Sequence, residues 1–332
     1  MKTSGVNYLQ KFLSNRLLIG FFSIAFTSCV VGVSYAENLN NLPQGTDVDT
    51  KANIFSAANA ALRYSMPTIG KDAPDWIKRI ELGASIQQNG QAEWSILTVQ
   101  PLYQSEDFKH TFFTQLSQLR YNYLGYNRDV TNAGLGYRQL FADNTVLVGV
   151  NGFYDHEWKR GHKRFGYGAE LKWSGLDLTA NGYEAISNKV TRGLNTGIEE
   201  EALSGYDAEA SLQLPYLPWA RMNAKYYQWN AIVNADDIKG YSVGVQADLT
   251  QNFSLEAGVT DDNYTSNEVF AKFTFSFPVG GSRKAVAASK GMVSKTAWNM
   301  RDMKDYTLVK VRRQNKIILE QSSSGVVITR GN

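Results

Sequence analysis

Between Trp76 and Pro278 apolar residues alternate with small or charged ones at a period of two, and polar turns break the pattern at short intervals. A strand turns successive side chains to opposite faces, so each stretch carries two residue sets that can be read apart. Val146 to Trp158 sets Val146, Val148, Val150, Gly152, Tyr154, His156 and Trp158 against Leu147, Gly149, Asn151, Phe153, Asp155 and Glu157. Phe165 to Trp173 and Tyr241 to Leu249 divide in the same way, and the last strand sets Val269, Ala271, Phe273, Phe275 and Phe277 against Lys272, Thr274 and Ser276. Helical periodicity is scarce, and no long apolar run follows the N-terminal leader, which excludes helical membrane spans. A secreted soluble β protein and an outer-membrane β-barrel remain.

The leader has a basic segment (Lys2, Lys11, Arg16), an apolar run from Leu17 to Val33, then Ser34-Tyr35-Ala36 before Glu37. That order reads as a secretory signal peptide, residues 1–36, cleaved after Ala36 with small residues at the −3 and −1 positions. A membrane anchor is the rival, but a run of about 17 residues is at the short edge for a span. Cleavage removes Cys29, the only cysteine, so neither disulfide nor thiol chemistry is expected of the mature chain. Phe26-Thr27-Ser28-Cys29 loosely resembles a lipidation motif, but apolar residues continue past it to Val33. The formal net charge of +3 falls to about zero when Lys2, Lys11 and Arg16 leave, so no nucleic-acid affinity is implied.

A soluble sandwich also alternates, so two further features decide for the barrel. Aromatics gather towards strand ends on the apolar face, as in an interfacial girdle, while the opposite face is small or charged, as a wet lumen requires. Counting turns gives about twelve strands, at 76–88, 91–103, 110–123, 129–141, 145–158, 162–174, 176–187, 204–214, 219–230, 239–250, 253–262 and 268–278. Connections after even-numbered strands are short, such as Ser174-Gly175 and Gln251-Asn252. Those after odd-numbered strands are mostly longer, with Ser187 to Ser204 the longest and Asn89-Gly90 the exception. Because periplasmic turns are the short ones, both barrel ends are expected on the periplasmic side. The tail FAKFTFSF, ending at Phe277, resembles the aromatic-terminated strand recognised during barrel assembly.

Residues 37–75 form a periplasmic segment with one short amphipathic helix expected over Asp49 to Tyr64, the barrel occupies 76–279, a linker 280–320 and a short tail 321–332. The linker reads as helix-like to about Met303 and strand-like in YTLVKVRRQNKIILE, and is too polar for a thirteenth lipid-facing strand.

The stretch FYDHEWKRGHKRFGYGAEL crowds two histidines beside two acids. Asp155 and His156 are neighbours on a strand, so they point to opposite faces and cannot pair without a bulge. A protease of the omptin kind, with Asp261-Asp262 as a second acidic pair, lacks a matching motif. A metal site from His156, His162, Asp155 and Glu157 fits no standard ligand spacing. The bland reading is a rim hairpin in which Trp158 anchors at the interface and Lys159 to Arg164 turn in water near anionic headgroups. Glu170, Lys172, Asp207, Glu209, Arg221, Lys225 and Glu256 are expected to face the lumen. There they pair with one another and line the path of 285–310, whose Lys295, Arg301, Asp302 and Lys304 are candidate partners.

NAGLGYRQLF (132–141), VLVGVNGFYDHEWKRGHKRFGYGAELKWSGLDLTANGY (146–183) and DYTLVKVRRQNKIILE (305–320) resemble the β-domain of intimin and invasin, the inverse autotransporters of the bacterial outer membrane. The resemblance spans about residues 60 to 320. It implies a twelve-stranded barrel, a post-barrel segment threaded back through the lumen, and a C-terminal passenger, usually tandem immunoglobulin-like domains with an adhesive tip. Only Gln321 to Asn332 follows the linker here, far short of the roughly 100 residues such a domain needs. The segment before the barrel is also too short for the peptidoglycan-binding module that some members carry. A very short or absent passenger is therefore expected, and receptor binding is not carried over.

The expected fold is all-β, a twelve-stranded antiparallel transmembrane outer-membrane barrel with a periplasmic helix and a C-terminal segment in the lumen. The expected function is an inverse-autotransporter translocator that anchors and exports its own C-terminus, associated with adhesion, invasion and virulence. A structural barrel or pore with a periplasmic tail, and a short adhesin binding through its extracellular loops, are the alternatives. No catalytic residue, cofactor or metal is expected. Partners are outer-membrane lipid, the barrel-assembly machinery and periplasmic chaperones, with a host or bacterial surface receptor as a further class; the chain is expected to be a monomer in the membrane.

Overall fold

The computed structural model describes residues 75–87, 92–123, 125–191, 199–233, 236–249, 252–265, 267–276, 293–298, 300–322 and 327–328. The cleavage site at Ala36, the helix expected over 49–64 and Phe277 lie outside them.

The alternating stretches form β1 (Ile80–Gln87), β2 (Glu93–Gln104), β3 (His110–Tyr123), β4 (Tyr126–Phe141), β5 (Val146–Glu157), β6 (Lys163–Trp173) and β7 (Leu176–Ala185). Two short strands, β8 (Val190–Thr191) and β9 (Glu199–Ala202), lie in the long connection that follows. Then come β10 (Gly205–Leu214), β11 (Leu217–Trp229), β12 (Ile238–Asp248), β13 (Phe253–Asp262), β14 (Glu268–Ser276), β15 (Leu319–Ser322) and β16 (Val327–Ile328). Strands β1–β7 and β10–β14 close into a twelve-stranded barrel in chain order, all neighbours antiparallel. The seam joins β1 to β14, with Glu81 opposite Ser276 and Gln87 opposite Phe270. Closure leaves no sheet edge in lipid, where each unpaired backbone group would be costly.

Along β5 the two residue sets separate as a barrel wall requires. Leu147, Phe153, Asp155 and Glu157 are buried inside, while Val148, Val150 and Tyr154 are exposed on the outer face. Outward aromatics form two belts. Tyr154, Trp158, Tyr206, Tyr226 and Tyr241 ring one end, and Tyr103, Phe112, Phe141, Trp173 and Tyr216 ring the other.

The second belt borders the tight turns. Several residues there adopt left-handed backbone conformations, including Ala142, Asp143, Asn144, Ser174 and Tyr216. The opposite end carries the β7–β10 connection, in which β8 pairs with β9 and β9 with β15. Loop parity has a second exception besides Asn89-Gly90: β3 and β4 pair as far as Tyr123 and Tyr126, with Gly125 at φ 78° in the turn.

The linker differs from expectation. Among the described residues it has one 3-10 turn, Met303–Tyr306, and becomes a strand only at Leu319. Between them several of its backbone polar groups are met by side chains of the barrel wall instead of by a ladder.

Candidate functional site

The linker meets the barrel first at its tight-turn end. Ser294 N donates to Tyr216 O at 2.7 Å, Tyr216 N donates to Ala297 O at 3.0 Å, and Met303 N donates to Asn144 O at 2.8 Å. Arg301 binds Asp177 at 2.5 Å and the Ser174 carbonyl, and its guanidinium lies over the Tyr306 ring. Met303 is fully buried against Leu140, Leu147 and Tyr306.

From there the chain climbs the lumen, and the inward residues of the wall act as clamps on its carbonyls. Arg138 donates to Thr307 O at 2.9 Å and Val309 O at 2.7 Å, while Glu170 holds the same guanidinium at 2.6 Å. Asn181 donates to Arg312 O, Arg164 to Gln314 O and Asn132 to Asn315 O. The hydroxyls of Tyr121 and Tyr123 donate to Ile317 O and Leu319 O. Linker N–H groups are met too, Val311 N by Gln115 Oε1 and Gln314 N by Tyr183 Oη, both at 2.7 Å.

Side chains fix the register of this passage. Lys310 binds Glu81 at 2.6 Å, Arg312 binds Glu209 at 2.5 Å and Glu256 at 3.4 Å, and Lys316 binds Glu93 at 2.6 Å. Arg313 grips both oxygens of Asp155, at 2.9 and 2.7 Å, and its guanidinium sits 4.2 Å from the Phe153 ring centre. Room for it comes from Gly166, where an added Cβ would stand 2.7 Å from Arg313 Nη2. Breaking a buried pair of this kind costs about 3–5 kcal/mol, so a one-residue slip of the linker is strongly opposed.

Of the seven charged residues singled out in the sequence, four act on the linker, in two ways, and three meet other residues of the wall. Glu209 and Glu256 touch the linker directly. Glu170 orients Arg138, and Asp207 orients Asn181 and Tyr183, so both act on the linker through a neighbour. Lys172 lies between Glu170 and Asp177, Arg221 binds Ser211 and Asp177, and Lys225 lies near the Tyr227 ring. On the linker, Arg301 meets Asp177, whereas Asp302 accepts from the Lys304 backbone. The cations that meet the wall in the middle of the lumen lie further along, at Lys310, Arg312, Arg313 and Lys316. Sequence reasoning passed over these and the wall clamps Arg138, Arg164, Asn132 and Asn181, although the same alternation puts all four on inner faces.

The stretch around the histidines divides between the two faces. His156 points outward and meets Trp158 edge-on at 4.6 Å, while Asp155 points inward to Arg164 and Arg313. Lys159 and Lys163 are exposed, but His162 and Arg164 are fully buried, so the basic run is not wholly in water as expected. The reason is the strand period, which turns Arg164 onto Asp155 and brings His162 Nε2 to 3.7 Å from a Glu200 oxygen. Burial alone would raise the Glu200 carboxyl, but nearby His162 and the Arg128 guanidinium hold it at about 2. Among the described residues no group of three or more His, Cys, Asp or Glu is placed to hold a metal ion.

The model for the inverse autotransporter β-domain matches residues 39–315. The chain belongs to that family. As an inverse autotransporter β-domain it is 28% identical over 236 residues to the inverse autotransporter adhesin YeeJ of Escherichia coli K12, across 68% of this chain and 9% of that protein. It is 25% identical over 232 residues to the invasin of Yersinia enterocolitica, across 66% of this chain and 27% of that one. The chain thus spans only a small part of the length of these curated relatives. Its fold is shared with a solved protein from work on the in-meso crystallization of membrane proteins, at a TM-score of 0.60 and 20% identity, covering 74% of this chain and 100% of that one. Family and barrel together place this β-domain in the bacterial outer membrane.

Proposed function

We propose that this β-domain anchors and exports its own C-terminal segment. The barrel inserts with its tight turns in the periplasm, passes the linker through the lumen as a hairpin, and closes around it once the trailing arm has settled. The observation that carries the reading is the series of contacts, among the described residues, from Tyr216 and Asn144 at the tight-turn end to Tyr123 and Leu203 at the other. A tail left in the periplasm would leave inward Arg138, Asp155 and Lys172 around an empty path. The assembly machinery and periplasmic chaperones deliver the barrel, and any exported adhesive segment meets its receptor outside. No step calls for catalysis.

An epitope tag placed after Asn332 tests the reading. Antibody is expected to reach it on intact cells, and a tag reached only after permeabilisation overturns the proposal. Planar bilayers give an independent check, because the plugged barrel is expected to be nearly silent and deletion of 282–332 to open it.

A further inference from the structure

We infer that β9 is a docking site for the exported chain, an acceptor strand that captures Leu319–Ser322 outside and prevents its return. This rests on the export reading above.

The first observation is the pairing itself. β9 lies between β8 and β15, with Ala202 opposite Leu319 and Glu199 opposite Ser322, and Leu203 N extends the contact to Ile318 O at 2.9 Å. An extended peptide added to a strand in this way gains main-chain hydrogen bonds, and its alternate side chains supply selectivity.

The second observation is that a residue of the barrel wall holds the acceptor. Glu200 is fully buried on β9 and takes two hydrogen bonds of 2.7 Å from Arg128, which belongs to β4. The same carboxylate accepts from the Gln321 side chain at 2.8 Å. A wall residue thus orients the group that receives the chain.

Selectivity forms the third. Ile317 and Leu319 enter a pocket of Leu119, Tyr121, Tyr123 and Val130, while Ile318, turned the other way, packs with Tyr183, Leu203, Tyr227 and Trp229. Glu320 then accepts from Ile232 N at 2.7 Å and Val233 N at 2.9 Å in the β11–β12 connection. The ligand class is an extended peptide of three apolar residues followed by an acid and an amide, which Ile317 to Gln321 supply.

These contacts lie at the end of the barrel opposite the tight turns, so they form only after the segment has crossed. Interactions made in one state alone shift the equilibrium towards that state, which gives passage a direction without a separate energy source.

The test follows an epitope tag after Asn332 in pulse-labelled cells, comparing the natural full-length chain with Ile318→Asp/Leu319→Asp, which alters the ligand and leaves the barrel wall untouched. Heat-modifiable gel mobility reports barrel assembly. The expected result is an assembled barrel whose tag reaches the surface several-fold more slowly, or in a several-fold smaller fraction. Equal rate and equal fraction overturn the docking site while leaving export standing; a tag that stays inside in the natural chain overturns export itself. If the double variant fails to assemble, Glu201→Cys/Glu320→Cys in a Cys29→Ser background decides, since directly opposed strand positions suit a disulfide. Cross-linking is expected in intact cells, and its failure in a chain whose tag is outside overturns the inference.

Discussion

Across the middle of the lumen Lys310, Arg312, Arg313 and Lys316 meet carboxylates of the wall, whereas at the far mouth Ile317, Ile318 and Leu319 meet apolar side chains and strand backbone. The difference separates register from closure. Charged pairs are poor sources of net stability, because desolvation offsets most of their attraction, but a mispaired charge is costly. They therefore fix where the linker stops. Apolar burial contributes about 1.5–3 kcal/mol for each large side chain regardless of partner, so the mouth supplies closure. A lumen lined mainly with apolar groups would hold any apolar segment, and one stoppered only by charges would stay wet.

The largest effect is expected from Arg138→Ala. It removes the donor for two linker carbonyls and leaves Glu170 buried beside Lys172 alone. Loss of a buried partner costs about 3–5 kcal/mol, read as a lower denaturant midpoint of the purified barrel. Arg138→Lys is expected to recover little, since one ammonium cannot span Glu170 and both carbonyls. A loss smaller than about 1 kcal/mol would mean that Arg138 is not a buried clamp on the linker.

Asp155→Asn comes next. It leaves Arg164 and Arg313 facing a neutral amide, with part of the hydrogen bonding retained, so a loss of about 2–3 kcal/mol is expected. Adding Arg313→Met should recover part of that loss, because the excess buried cation goes with it. If the two changes simply add, the pair does not set register and the comparison between lumen and mouth weakens.

The strand period made the wall legible, but legibility stopped where partners come from distant strands. β3 and β13 match the expected bounds residue for residue, and the opposite facing of Asp155 and His156 follows from period two alone. The start of β4 was missed because Tyr126-Asn127-Arg128 looks like a polar turn, whereas Arg128 is a buried inward residue that anchors Glu200. The linker's conformation was illegible for a different reason. YTLVKVRRQNKIILE reads as strand-like on its own pattern, but whether its backbone needs a ladder depends on Arg138, Asn181 and Tyr121, none of which that pattern reveals.

The acid range separates mouth from lumen at one group. The Glu200 carboxyl lies at about 2 in the folded chain, below the roughly 4.3 of a free glutamate. A depressed folded value gives stability that is present above the unfolded value and lost as pH falls through the folded one. The β9–β15 pairing is therefore expected to weaken from about pH 4.3 down to about 2, seen as lower protection of the Leu319 to Gln321 amides relative to the intrinsic exchange rate at each pH. Glu200→Gln should lose that dependence while exchange at Val309 to Arg313 keeps its own.

The smallest effect is expected at Glu201, which stands directly opposite Glu320 in the β9–β15 register. Like charges at facing strand positions oppose pairing. Glu320 turns its carboxylate to the Ile232 and Val233 N–H groups, which removes part of that opposition but not all of it. Glu201→Gln should then tighten the mouth by a few tenths of a kcal/mol, roughly the size of one cross-strand pair. Amide exchange at Glu320 and Gln321 would slow accordingly, while the lumen segment stays as it was. Faster exchange there would mean that Glu201 supports the pairing through a contact of its own, and that charge matters at the mouth as it does in the lumen.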